Sequence, residues 1–177
     1  MNTSLETDRL LIRPLVLEDK NFILELLNTE GWLKYIGDRK VKNSNDAEIY
    51  IQKILDNTKY SYHVFELKET QQAIGIITFL YRDNLEFPDL GFAMLPEFEK
   101  KGYAYEACEK YLNEIISKNH LTQINAITLP GNTNSIQLIE KLGLEFEKEI
   151  VENSEKLYLY SIRVKNIKSN RSSTTFS

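Results

Sequence analysis

The chain has 177 residues, 42% of them apolar, which suits one domain with a sizeable core. Its formal net charge of -4 gives no general attraction to nucleic acid or to an anionic membrane, so any basic cluster must serve a local purpose. One cysteine excludes an internal disulfide, two well-separated histidines argue against a metal cage, and no apolar run approaches the ~20 residues of a membrane span.

Leu10–Pro14 is a short apolar segment stopped by proline, and it reads as a first, edge strand. A helix then begins at Glu18 or Asp19, with Phe22, Ile23, Leu26 and Leu27 at helical spacing and Gly31 just past its end. From Trp32 to Val41 the pattern lapses into a loop or broken helix. Ser44, Asn45 and Asp46 are cap candidates for a second helix, whose inner face is Ala47, Tyr50, Ile51, Ile54 and Leu55.

Tyr62–Leu67 and Ala73–Arg82, with polar Lys68–Gln72 between them, predict a hairpin. A third strand from Asp89 to Leu95 completes an antiparallel meander. Tyr103–Lys118 is the strongest helix, its inner face running through Ala104, Ala107, Cys108, Tyr111, Leu112, Ile115 and Ile116. Gln123–Leu129 then re-enters the sheet after a helical crossover, which requires it to lie parallel to the Asp89 strand. A short helix over Asn134–Leu142 is ended by Gly143, and Glu145–Val151 with Leu157–Arg163 forms a final hairpin. Residues 165–177 are polar and short of core residues, so the expectation is one domain over 1–164 and a disordered tail.

Between the Asp89 strand and the long helix lies a basic turn, Glu99-Lys100-Lys101-Gly102-Tyr103-Ala104. A turn that opens a helix presents unpaired N–H groups and the positive end of the helix dipole, and Gly102 lets the chain approach a ligand closely. The pattern suits a pyrophosphate. The nucleotide-binding P-loop is absent, because no Gly-Lys-Ser/Thr follows an earlier glycine at the required spacing.

Lys100-Lys101-Gly102-Tyr103-Ala104 resembles the signature loop of the GNAT superfamily of N-acetyltransferases, with Glu99 where that family has Gln or Arg. Thr7-Asp8-Arg9-Leu10-Leu11-Ile12-Arg13-Pro14, Tyr35-Ile36-Gly37-Asp38-Arg39 and Asp89-Leu90-Gly91-Phe92-Ala93 resemble further landmarks of its ribosomal-protein N-terminal acetyltransferase branch. Asn132, Ser135 and Lys141-Leu142-Gly143-Leu144 match its second cofactor segment. The resemblance implies an α/β (α+β) domain: a mixed, mostly antiparallel sheet of about six to seven strands, about four helices, and a splayed parallel pair as cofactor cleft. It implies transfer of acetyl from acetyl-CoA to a primary amine in a ternary complex, with no metal. The acceptor would be a protein N-terminus or a small-molecule amine. The alternative is a catalytically weak acyl-CoA sensor, kept open by Glu99 and by Ile139, which stands where many relatives have tyrosine.

From the same resemblance follow the candidate site residues. The strand Phe92, Ala93, Met94 and Leu95 would bind pantetheine and hold the oxyanion through its peptide groups. Lys100, Lys101, Gly102, Tyr103 and Ala104 would hold the diphosphate. Asn132 would position pantetheine, and Ser135 would donate to the departing thiolate, unless Ser135 or Asn134 only caps its helix. Asp89 or Glu86 would be the general base, with solvation of the strand edge as the rival role, and Trp32, Tyr35 and Arg39 would line the acceptor pocket, with core packing the rival role for the aromatics. Cys108, His63 and His120 read as structural or solvated. A cytoplasmic monomer or homodimer, without nucleic-acid or membrane partners, completes the expectation.

Overall fold

In the computed structural model, residues 4–118 and 121–164 are described. The apolar alternations become strands β1 (Leu5–Glu6), β2 (Leu10–Pro14), β3 (Tyr60–Leu67), β4 (Ala73–Leu80), β5 (Asp89–Met94), β6 (Gln123–Thr128), β7 (Glu145–Glu152) and β8 (Glu155–Arg163). The helical periods become α1 (Lys20–Leu27), α2 (Glu30–Tyr35), α3 (Ser44–Leu55), α4 (Tyr103–Lys118) and α5 (Thr133–Lys141). His120 and residues 165–177 lie outside the described residues.

Among the described residues one sheet runs β1-β2-β3-β4-β5-β6-β8-β7, every neighbour antiparallel except β5 and β6. The α4 crossover explains the parallel pair. Three details differ from the expectation. β2 is not an edge strand, because two-residue β1 pairs outside it, Leu5 opposite Ile12. Gly31 does not mark an end but lies inside α2, which takes up the start of the stretch read as a loop or broken helix and is capped by the Thr29 side chain, which accepts from the Trp32 N–H. The cap of α3 is Asn43, which accepts from the Asp46 N–H. β1 brings the sheet to eight strands, and α2 brings the helices longer than three residues to five, among the described residues.

The sheet is covered on both faces. On one, Ile23, Leu26 and Ile51 of α1 and α3 pack on Val64 and Ile76. On the other, Tyr111, Leu112 and Ile115 of α4 pack on Phe65, Ile77 and Leu90. A smaller cluster joins Ile139 of α5 to Ala126, Leu144 and Tyr160. Each fully buried Ile or Leu is worth roughly 1.5–3 kcal/mol against exposure, so the layers hold β5 and the N-terminal end of α4 in a fixed relation.

Candidate active site

β5 and β6 share only the pair Asp89 and Asn125, where the Asn125 N–H donates to the Pro88 carbonyl at 2.8 Å. The strands part beyond it. Alternate residues of a strand turn both peptide groups to the same neighbour. The Leu95 N–H donates to Ile74 O on the β4 side at 2.9 Å. Gly91, Ala93 and Leu95 therefore spend their N–H groups on β4, while Phe92 and Met94 turn theirs into the gap. Of the four residues expected to hold pantetheine, these two present backbone donors there. Ala93 packs in the α1 and α3 core, and Leu95 is buried.

At the open end of the gap comes the basic turn. Lys100 (φ 59°) and Gly102 (φ 82°) are both left-handed, which folds the chain back just before α4. The Glu106 N–H donates to Gly102 O, so α4 starts at Tyr103 and the N–H groups of Gly102, Tyr103 and Ala104 have no partner within the helix. Lys100 is exposed. The Lys101 ammonium is turned back, donating to Glu97 O at 3.0 Å and lying 5.5 Å from the Phe98 ring centroid.

Asn132 caps α5, its Oδ1 accepting from the Ser135 N–H at 3.2 Å. The cap role weighed for Ser135 or Asn134 thus belongs to Asn132, and Ser135 stays half-buried in the first turn of α5. Ile139 is buried in the small core cluster, where it serves packing.

Asp89 lies where β5 and β6 part and is only 3% exposed. Its Oδ2 accepts from Arg82 Nε at 2.8 Å, while Oδ1 has no hydrogen bond within normal geometry. Burial raises its carboxyl above the ordinary range, and Arg82 and the Ile127 N–H pull less strongly the other way. Its partner Arg82 in turn lines a groove of about 1040 Å³ with Lys59, Tyr60, Tyr81 and Glu152 among others, a lining that does not include Asp89 itself. Glu86 is exposed.

The pairings Tyr60 with Leu80 with Asp89, and Tyr62 with Thr78 with Gly91, carry rows of side chains across the sheet. The second row lies on the α1 and α3 face, because Val64 and Ile76, two residues on, pack there. Burial pushes the hydroxyls of Tyr50 and Tyr62 up; the two lie close enough to influence one another, and Arg39 is close enough to oppose the shift. Arg39 thus joins a tyrosine cluster. Trp32, in contrast, is 5% exposed, and its indole N–H donates to Gly37 O at 3.1 Å. Tyr35 is half-buried, with the Lys34 ammonium 5.0 Å from its ring centroid. His63 is buried with its ring centroid 4.8 Å from that of Tyr111, and Cys108 is buried in the α4 core. No cluster of three potential metal ligands occurs among the described residues, and no helix there is long and apolar enough to cross a membrane.

Sequence reasoning missed Arg9, Glu106, Arg82, Tyr50 and Tyr62 as parts of this region. Arg9 was visible only as one residue of the opening motif.

The comparisons agree with this geometry. An acetyltransferase (GNAT) domain model matches residues 9–145. An uncharacterized N-acetyltransferase, YnaD, of Bacillus subtilis (strain 168) is 28% identical over 141 residues, covering 80% of this chain and 82% of its own. The ribosomal-protein-S5-alanine acetyltransferase from Vibrio fischeri shares the fold at TM-score 0.78 and 17% identity, covering 93% of this chain and 98% of that one. The spermidine N-acetyltransferase from Vibrio cholerae, solved with CoA and spermine, does so at TM-score 0.76 and 19% identity, covering 90% and 98%. With a splayed parallel pair, a tight turn opening the following helix, and a domain model spanning most of the chain, this protein belongs to the GNAT acetyltransferase family and is an acyltransferase.

Proposed function

We propose that the protein transfers acetyl from acetyl-CoA to a primary amine by direct attack in a ternary complex. The observation that carries this reading is the single pairing of Asp89 with Asn125, beyond which two backbone donors of β5 face a gap that ends at the Gly102 turn. Those groups fit the coenzyme. The Phe92 and Met94 amides suit an extended pantetheine, and the first-turn amides of Gly102, Tyr103 and Ala104, without partners in the helix, suit a diphosphate. Bound there, acetyl-CoA would supply an activated acyl group.

The chain's own residues would do the rest. Either gap-facing N–H, Phe92 being nearer the apex, would meet the negative charge that develops on the carbonyl oxygen; one such donor is worth about 2.7–4 kcal/mol elsewhere. Asp89 would take the amine proton, directly or through water, since burial makes its carboxylate a stronger base than a solvated one. The Ser135 hydroxyl would donate to the departing sulfur. Arg39, Tyr50 and Tyr62 would wall the acceptor side, with Tyr35 beyond them.

The named neighbours act on spermidine and on a ribosomal protein's alanine, so both small-molecule amines and peptide N-termini belong in the test. An α-amine, with pKa ~8, is more easily deprotonated than a lysine amine at ~10.4. The full chain should release free thiol from acetyl-CoA only when a suitable amine from a mixed library is added. Release that is independent of every amine, or none at all, would overturn the reading in favour of an acyl-CoA sensor.

A further inference from the structure

Arg9 precedes β2, yet its side chain reaches the turn that opens α4. Its Nη1 donates to Lys101 O at 3.0 Å. Its guanidinium carbon stands 4.3 Å from the Tyr103 ring centroid, and Nη2 would be 3.5 Å from a β-carbon placed on Gly102. One side chain thus touches three successive residues of the turn. Its other edge is occupied by Glu106, through Nε at 2.7 Å and Nη2 at 2.6 Å to Oε2. Glu106 Oε1 accepts from the Arg9 backbone N–H at 3.1 Å and from Thr7 Oγ1 at 2.5 Å.

Two consequences follow from elementary geometry. The carbonyl of Lys101 and the N–H of Gly102 belong to one trans peptide plane and point in opposite directions. A guanidinium that grips the carbonyl therefore aims the Gly102 N–H away from itself, toward the side where a diphosphate would sit. Glu106 lies in the first turn of α4, where a carboxylate complements the helix dipole but opposes a second anion on the same amides. Although partial burial works against its charge, the hydrogen bonds from Thr7 and Arg9 hold Glu106 below the usual carboxylate range.

We propose that Arg9 is a positioning residue for coenzyme A: it orients the Gly102 amide by holding the opposite end of its peptide plane, and it neutralises Glu106 beside the diphosphate. This rests on the reading that the Gly102 turn grips the diphosphate. It assigns a task in the turn to a residue 97 positions away from Glu106 in the chain.

The test compares acetyl-CoA with S-acetyl-pantetheine, which lacks the diphosphate, as donors for the full chain and its variants. Arg9→Ala should raise the KM for acetyl-CoA about tenfold, equivalent to about 1.4 kcal/mol, with kcat and the KM for acetyl-pantetheine changed less than about twofold. Arg9→Lys, which keeps charge without the two-edged fork, should fall between. Arg9→Ala combined with Glu106→Gln should regain part of the loss, and added salt should narrow the gap between Arg9→Ala and wild type by screening the Glu106 charge that the substitution leaves unpaired. Melting temperatures identify a variant that fails to fold; the Arg9→Lys comparison then decides. An equal rise in KM for both donors, or unchanged affinity for CoA by calorimetry, would overturn the role of Arg9. Wild-type protein that uses both donors with equal KM would overturn the reading of the turn itself.

Discussion

Gly91→Ala offers a test of the sheet at the point where the two strands part. A β-carbon at Gly91 would lie 2.5 Å from Thr78 Oγ1 and 3.9 Å from Thr78 Cβ, so only the hydroxyl obstructs it. Thr78 is the direct cross-strand partner of Gly91, and its branched side chain has few rotamers. Overpacking of this kind costs about 1–3 kcal/mol, or about 2–12 °C in melting temperature for a domain of this size. Because β6 no longer pairs with β5 beyond Asp89, the strand would relieve the clash by moving into the gap, carrying the Phe92 amide with it. Turnover should therefore fall together with stability. Thr78→Ala removes the obstructing oxygen. Gly91 is not in the left-handed region, so in that background Gly91→Ala should be neutral or stabilising by up to about 1 kcal/mol, because alanine lowers the entropy of the unfolded chain. Thermal denaturation of the wild type, both single variants and the double variant measures the coupling. Losses that add to within about 0.5 kcal/mol would refute the clash as the reason for glycine here.

Gly102→Ala separates shape from space. The added carbon would make ordinary contact with Arg9 Nη2 at 3.5 Å, but φ at 82° is strained for alanine by roughly 1–2 kcal/mol. Stability should drop by that amount and the KM for acetyl-CoA should rise, measured by melting and steady-state kinetics; an unchanged KM would separate the turn from coenzyme binding. Asn132→Ala should cost about 1 kcal/mol by removing the α5 cap, whereas Ser135→Ala should spare stability and lower kcat with little change in KM for acetyl-CoA. Wild-type turnover in Ser135→Ala removes the hydroxyl from the chemistry. Asp89 has a folded-state pKa above its unfolded value, so the fold binds this proton more tightly. Stability from this site is fully present below the unfolded value and falls as pH rises through the window up to the raised folded value. Asp89→Asn should flatten that slope in melting temperature against pH, and should remove the lower acidic limb of kcat/KM if Asp89 is the base. A limb that survives the substitution assigns it elsewhere.

What could be read from the chain as a string was whatever depends on near neighbours. The α4 helix was legible because Ala107, Cys108, Tyr111, Leu112, Ile115 and Ile116 repeat at a period set by its own backbone, and they are buried in the structure. The tight turn was legible because Gly102 and the strand and helix around it are contiguous. The parallel relation of β5 and β6 followed from the length of the crossover between them. β1 escaped notice and α2 stayed undecided between loop and broken helix, because two and six residues hold too little periodicity to stand out.

Tertiary structure decided the rest. Which amides face the gap depends on β5 pairing with β4 and parting from β6 after one residue pair, a balance of ladders that no single strand encodes. Trp32 belongs to the core and Arg39 to a tyrosine cluster because α1, α3 and β3 converge there. Asp89 is buried beside Arg82, and Arg9 meets Lys101, Tyr103 and Glu106, only after the sheet has formed. Periodicity and turn chemistry are local and can be seen in sequence; the direction of a peptide group and the company of a buried charge are products of long-range packing.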